Sequence, residues 1–199
     1  MRDLASTTAF IVLIMAAQAQ PLRAQQPIPA TTEAAVAAEK AAIGELADRL
    51  KDFLGTALKQ QGALGAVGVC QSIALPTTAG IGEQRGLSIR RTSLRVRNPA
   101  NAPDDFERRA LEAFTASVGA GADPSTLTVS QVVIDPAGKR ILRFMKAIPM
   151  AEQPCSTCHG TNIAPDVART IQALYPQDAA TGFKPGDVRG AFSVTKAIE

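Results

Sequence analysis

The residues best suited to chemistry form one short run, Cys155-Ser156-Thr157-Cys158-His159. The spacing Cys-x-x-Cys-His is the sequence that attaches haem c: the two thiols add to the vinyl groups and the histidine binds the iron. The run holds two of the chain's three cysteines and its only histidine. We therefore predict one haem c, bound covalently by Cys155 and Cys158, with His159 as the proximal iron ligand.

Two other kinds of site fit the same run. Cys155, Cys158 and His159 could bind zinc together with Cys70, the third cysteine, as a Cys3His set. Ligation by the adjacent Cys158 and His159 is sterically awkward for a tetrahedral ion. The two motif cysteines could also be a redox dithiol, but such a dithiol normally opens a helix in a βαβ unit, whereas a predicted hairpin precedes it here. Haem attachment is the favoured interpretation.

Several residues are candidates for the second axial position of the iron. The chain has one histidine, so ligation by two histidines would need a second molecule. No methionine follows the motif, unlike in ordinary small cytochromes c. Met145, Met150, Cys70 and no ligand at all are the alternatives. Met145 is expected in a strand and Met150 in a loop that would have to fold back, while an unpaired cysteine such as Cys70 is often only a small buried residue.

Length and composition restrict the class of protein. A chain of 199 residues with 46% apolar residues is long enough for one domain with a real core. The formal net charge is +3, and there is no run of like charges and no stripe of alternating aromatic and basic residues. We therefore expect no nucleic-acid partner.

The N-terminus has the pattern of a secretory signal peptide. Arg2 supplies the positive charge, and residues 9–17 form an apolar stretch that is too short to span a membrane as an ordinary helix. Small residues offer cleavage sites near residues 19 and 24. We predict a signal peptide over 1–24, one haem domain over 30–199, no membrane span in the mature chain and a periplasmic location, where bacteria attach haem c.

Apolar residues at three- and four-residue spacing predict a long amphipathic helix that begins near Glu33. Gly62 and Gly65 are predicted to interrupt it, and a second helix is predicted over 64–75, where Pro76 stops it. Cys70 lies on the apolar face of this second helix and is predicted to point inward. The near-heptad spacing of the first helix could mediate a homodimer, although a helix that covers its own sheet is the simpler expectation.

Strand and helix patterns alternate in the rest of the chain. The turn sequence Asp135-Pro136-Ala137-Gly138 predicts a β-hairpin. We predict strands over 87–96, 127–134, 140–148 and 188–195, and helices over 105–117 and 165–174. The predicted order of elements indicates an α+β domain with a central sheet, because helices come first and antiparallel strands with helices between them follow.

Arginines are concentrated in the first predicted strand. Arg91, Arg95 and Arg97 share a face by period-two alternation, and one of them could reach a haem propionate. A solvated outer face is the favoured expectation for this group. Tyr175, the only tyrosine, is expected to pack near the edge of the haem.

Several segments, taken in their order along the chain, give the sequence a resemblance to a c-type haem family. That family has a PAS-like haem domain and was long catalogued as a domain of unknown function. The segments are residues 68–74, 89–103, 154–160, 175–183 and 186–194. The resemblance covers roughly residues 35–196. It implies a PAS-like α+β fold, covalent haem at Cys155 and Cys158, and axial ligation by His159 and by a cysteine that matches Cys70.

Motif and resemblance together predict a periplasmic monohaem c-type protein with His159 and Cys70 as iron ligands. Such a protein would sense redox state or a small ligand, or carry single electrons to a redox or signalling partner. A thiolate ligand stabilises ferric iron, so a low reduction potential is expected. The alternative is a peroxidase-like or gas-processing haem enzyme, if the cysteine dissociates. Against it, the chain has no second histidine for distal acid–base catalysis.

Overall fold

The computed structural model of the protein describes residues 30–198. Its elements in chain order are α1 (Ala30–Arg85), β1 (Ser88–Thr92), α2 (Asp105–Gly119), β2 (Thr128–Ile134), β3 (Arg140–Pro149), α3 (Ser156–His159), α4 (Pro165–Leu174) and β4 (Val188–Ile198), with short 3-10 turns at Pro99–Asn101 and Pro124–Thr126. The predicted signal peptide at residues 1–24 lies outside the described residues, so it stays a prediction.

α1 consists of two helical arms that fold back on each other. Gly62 has φ 66° and ψ −172°, a left-handed backbone conformation that favours glycine. It separates an N-terminal arm, residues 30–61, from a C-terminal arm, residues 63–85. Arg85 pairs with Glu45 at 2.6 Å, whereas a straight helix would hold residues forty positions apart at a distance of about 60 Å. The predicted interruption at Gly62 is therefore confirmed, and it is a sharp turn. The interruption predicted at Gly65 is wrong, because Gly65 has a regular helical conformation in the C-terminal arm.

The C-terminal arm continues through Pro76, where the sequence predicted its end. An internal proline costs roughly 3 kcal/mol, and the hydroxyl of Thr78 donates to the carbonyl of Ala74 at 2.7 Å in the same turn. The continuation buries Ile81 against the N-terminal arm, which contributes about 1.5–3 kcal/mol, and brings Arg85 to Glu45. The predicted stop was wrong because packing of the additional turns offsets the cost of the proline.

The four strands form one antiparallel sheet in the order β1-β4-β3-β2. β2 and β3 form the predicted hairpin. At its turn the carboxylate of Asp135 accepts hydrogen bonds from the backbone of Ala137 and Lys139, and Gly138 has φ 79°. The α+β class with a long N-terminal helix agrees with the sequence prediction.

Each face of the sheet is covered by one helical element. Period-two alternation places Ile89, Phe144, Phe192 and Val194 on the face that packs on α1. The opposite face packs on α2 through Met145, Ala147 and Ala191, which contact Ala110, Leu111 and Phe114. The face toward α1 therefore combines a core, to which Ala42, Ile43 and Leu46 from the middle of the N-terminal arm contribute, with the wall of the cavity described below.

β1 is shorter than the predicted strand and ends at Thr92. The hydroxyl of Ser93 donates to the carbonyl of Arg189 and accepts a hydrogen bond from the backbone of Arg95. These bonds replace the strand ladder and lead the chain away from the sheet. Arg95 and Arg97 therefore lie on a loop, so period-two alternation does not apply to them.

α1 is long and apolar enough to cross a membrane by length and composition alone. An 18-residue window in it has a mean hydropathy of 1.4, and 28% of that window is buried in the fold. Core helices and signal sequences meet the same criterion. Both arms contribute buried residues to the core against the sheet, and the C-terminal arm also packs on α4. Length and composition are therefore weak support for a membrane span. The expectation that the mature chain has no membrane span stays a prediction.

Candidate functional site

The Cys-x-x-Cys-His run forms a single helical turn between β3 and α4. The backbone N–H of His159 donates to the carbonyl of Cys155 at 2.9 Å, so Cys155 and Cys158 lie one turn apart on one side of α3. A Cβ on Gly160 would lie 2.6 Å from the carbonyl oxygen of Ser156. Only glycine allows the chain to leave this turn along the observed path.

The ring of His159 is held in the tautomer that a metal ligand needs. Its Nδ1 lies 2.7 Å from the carbonyl oxygen of Ala180. A carbonyl can only accept, so Nδ1 carries the proton and the lone pair of Nε2 is free for iron. Burial, together with the charges of Arg189 and Arg97, lowers the pKa of His159 to about 2. The ring is therefore neutral at physiological pH.

One large cavity, about 870 Å³, lies between the two arms of α1, the sheet and α3. Its volume falls within the roughly 300–1,000 Å³ of pockets that enclose small molecules and cofactors. All four predicted site residues line it: Cys70 from the C-terminal arm of α1, and Cys155, Cys158 and His159 from the motif. The fold thus brings together residues that are about 85 positions apart in the sequence.

Cys70 opens onto this cavity. Its side chain lines the cavity and is exposed to it. Partial burial raises the pKa of the Cys70 thiol, and the charges of Arg91 and Arg97 oppose the shift. Burial also raises the pKa of Cys158. All three cysteines are free thiols, as haem attachment and ligation require.

The two methionines that were candidate iron ligands lie elsewhere. Met145 is fully buried on the face of the sheet that packs on α2. Met150 is buried against Ala180 and Phe183. Neither lines the cavity. Among the sulfur-bearing side chains of residues 30–198, only the cysteines do so.

The zinc alternative requires direct convergence of the three cysteines and the histidine. Within the described part of the chain, no group of three or more histidine, cysteine, aspartate or glutamate side chains is close enough to hold a metal ion. The four residues instead surround a space of cofactor size. The geometry therefore favours a haem between them over a tetrahedral ion.

Three arginines form part of the cavity wall: Arg91 of β1, Arg97 of the following loop and Arg189 of β4. The expectation of a solvated outer face is wrong for Arg91 and Arg97. Arg91 follows the buried Ile89 by two positions and so shares its inward face. Arg97 donates to the carbonyl of Cys158 at 2.6 Å and pairs with Asp178 at 3.1 Å.

Arg95 is exposed, as predicted for this group, but it has a defined contact. Its guanidinium lies 3.6 Å from the centre of the Phe183 ring, and the guanidinium of Arg189 lies 5.1 Å from the same centre. Phe183 is buried beside Cys155. Cation–π contacts thus fix the loop that supplies the His159 acceptor.

Comparison with known proteins places the chain in a family. A family model described as Tll0287-like matches residues 13–196. The chain belongs to the Tll0287-like family. Its structure is similar to the crystal structure of the cyanobacterial heme-protein Tll0287, with a TM-score of 0.61 and 24% sequence identity over 87% of this chain and 98% of that chain. No curated protein matches the sequence. The resemblance predicted from the sequence and the PAS-like α+β fold are confirmed.

Sequence reasoning missed three contributors to this Tll0287-like site. The carbonyl of Ala180, which binds His159, belongs to the backbone, so the residue type gives no indication of this contact. Asp178 lies between the helix predicted over 165–174 and the strand predicted over 188–195, and its carboxylate accepts hydrogen bonds from Arg97 and the backbone of Ala180. Arg189 lies at a shift in the β3–β4 register, where Ile148 pairs with Gly190 but Pro149 pairs with Val188. Arg189 is thus the extra residue of a β-bulge, which redirects a side chain that simple alternation would place on the other face.

Proposed function

We propose that this chain is a monohaem c-type protein whose iron is bound by His159 and Cys70. The observation that carries the proposal is the shared cavity: Cys70, far away in the sequence, lines the same space as Cys155, Cys158 and His159. Membership of the Tll0287-like family and likeness to a heme-protein support it.

The chain's own residues have distinct parts in this proposal. Cys155 and Cys158 would form the two thioether bonds, and His159 would bind iron through Nε2 because Nδ1 is engaged by Ala180. Cys70 would supply a thiolate, a strong donor that stabilises ferric iron. Haem bound in this way supplies one-electron redox chemistry. We therefore propose a redox sensor or single-electron carrier, acting on an unidentified redox or signalling partner.

A small-ligand sensor is a second candidate function. A cavity of about 300 Å³ adjoins the large one and shares Gln71, Arg97, Asn98 and Tyr175 with it. It could admit a small molecule to the Cys70 side of the iron if the sulfur leaves. Carbon monoxide added to the reduced protein separates the functions: avid binding supports ligand sensing or a haem enzyme, and no binding supports electron transfer.

A periplasmic location belongs to the same proposal. The signal-peptide pattern of residues 1–24 and the haem-attachment motif point to the same compartment. The full chain, expressed with its own N-terminus, should therefore appear in the periplasmic fraction. Retention in the cytoplasm without haem would contradict this location.

Covalent attachment is tested by a pyridine haemochrome spectrum of the full chain, expressed with the haem c maturation machinery. We expect one haem per chain that stays attached after denaturation, and loss of that haem in the double variant Cys155→Ala/Cys158→Ala. Met145→Leu is the control, because Met145 packs away from the cavity. A colourless wild-type product would overturn the proposed function.

Ligation by Cys70 is tested by Cys70→Ser. Removal of the thiolate should change the visible spectrum of the ferric protein and raise its reduction potential, because ferric iron loses its strongest donor. Met150→Leu, which removes the other candidate sulfur near the motif, should leave both unchanged. A Cys70→Ser protein with the wild-type ferric spectrum would contradict the assignment.

A further inference from the structure

The arginines of the cavity wall carry more positive charge than the surrounding protein neutralises. Arg97 is paired with Asp178 at 3.1 Å, and the two side chains are only 12% and 4% exposed. Within residues 30–198, no carboxylate lies within ion-pair distance of Arg91 or Arg189. Two guanidinium charges therefore face the cavity without an ionic partner.

Arg189 shows most clearly that this arrangement is costly. Its Nε is buried and has no hydrogen-bond acceptor among the described residues. A buried polar group without a partner destabilises the folded state, and a charged group does so more strongly. The β-bulge at Arg189 also interrupts the β3–β4 ladder, and such bulges occur next to functional sites, where they redirect a side chain.

Arg91 and Arg189 line the same cavity as the two candidate ligands, Cys70 and His159. The positive charge of Arg91 opposes the rise in the pKa of Cys70 that burial causes, and the positive charge of Arg189 helps to lower the pKa of His159. Guanidinium groups remain protonated under all physiological conditions. Fixed positive charge is thus present beside both proposed axial ligands.

We propose that the positive charges of Arg91 and Arg189 raise the reduction potential of the haem. They counteract the thiolate of Cys70, which lowers that potential. Reduction adds one electron, taken from a chemical reductant, and lowers the charge on ferric iron by one. Nearby positive charge stabilises the reduced state relative to the oxidised state. This inference rests on the proposed function, since it requires haem between His159 and Cys70.

Removing either charge should favour ferric iron. We expect Arg91→Gln and Arg189→Gln each to shift the ferric/ferrous equilibrium constant about tenfold toward ferric, or 59 mV more negative for a one-electron couple. Arg91→Lys should retain most of the wild-type potential, because it keeps the charge. Arg108→Gln is the matched control: Arg108 is exposed on α2, beyond the opposite face of the sheet.

The experiment is a redox titration of the haem-loaded full chain, with haem content and the ferric spectrum recorded for each variant. Loaded glutamine variants with the wild-type potential, or an equal shift in Arg108→Gln, would overturn the inference. If Arg189→Gln does not accumulate, Arg91→Gln decides, because Arg91 occupies a regular strand position. Failure of the wild-type chain to bind haem would instead overturn the proposed function.

Discussion

Asp178 connects two supports of the haem-binding motif. One carboxylate oxygen accepts hydrogen bonds from Arg97 and from the backbone of Ala180, whose carbonyl binds His159. Arg97 in turn donates to the carbonyl of Cys158. The orientation of the histidine therefore depends on a buried ion pair that has no counterpart in the motif itself.

Asp178→Ala should destabilise the protein by about 3 kcal/mol, because it leaves the buried guanidinium of Arg97 without its partner. Asp52→Ala, on the exposed side of α1, should change the free energy of unfolding by less than about 0.5 kcal/mol. Urea denaturation of both variants measures the difference. Equal stabilities would show that the ion pair does not support the site.

The turn between the two arms of α1, at Gly62, positions Cys70. The N-terminal arm covers the sheet, and the turn returns the C-terminal arm along it, so that Cys70 and the motif share a cavity. Gly62 has the only non-helical conformation inside α1. The position of the candidate ligand thus depends on the backbone conformation of one residue.

Gly62→Ala and Gly55→Ala should have opposite effects. Nothing lies within 4 Å of a Cβ at either position, so the difference is purely conformational. At Gly62, φ 66° and ψ −172° make alanine unfavourable by about 1–3 kcal/mol. At Gly55, inside the regular N-terminal arm, alanine should stabilise by about 0.5–1 kcal/mol. If both substitutions moved the thermal unfolding midpoint in the same direction, the conformation assigned to the turn at Gly62 would be contradicted.

Glu39 makes the stability of the whole molecule depend on pH. Both carboxylate oxygens are buried without a hydrogen-bond partner, and burial raises the pKa to about 7 from 4.5, although Lys196 opposes the shift. The protonated form is therefore favoured in the folded state. The corresponding stability is fully present below pH 4.5 and is lost as the pH rises to about 7.

Glu39→Gln should remove this pH dependence. Above pH 7 the variant should be more stable than the wild type by about 1–2 kcal/mol, once solvent screening is allowed for. Denaturation curves at several pH values between 4 and 8 measure it, with Glu33→Gln at an exposed position as the control. If the free energy of unfolding of Glu39→Gln depended on pH as it does in the wild type, another titrating group would be responsible.

Features with a local chemical cause were predictable from the sequence. α2 begins at a capping box formed by Asp104 and Glu107, α4 begins at Pro165, and the hairpin follows from its turn residues. The proposed haem-attachment residues, Cys155 and Cys158, also come from a five-residue motif. In each case the residues that determine the structure are neighbours in the sequence.

Features that depend on packing were not predictable in this way. The continuation of α1 past Pro76 depends on contacts of Ile81 and Arg85 with the other arm. The inward position of Arg189 depends on a β-bulge, which no periodic pattern shows. Cys70 was one of several candidate ligands until the resemblance was considered, and the fold is what brings it to the cavity.

The proposed function requires that the sulfur of Cys70 binds iron. Resonance Raman spectroscopy of the ferric haem-loaded protein tests it most directly, with cysteine labelled by heavy sulfur. We expect an iron–sulfur stretching band that shifts on labelling and is absent from Cys70→Ser, since the thioether sulfurs of Cys155 and Cys158 do not bind the metal. A ferric spectrum with no sulfur-sensitive band, or one in which the band persists in Cys70→Ser, would contradict the claim.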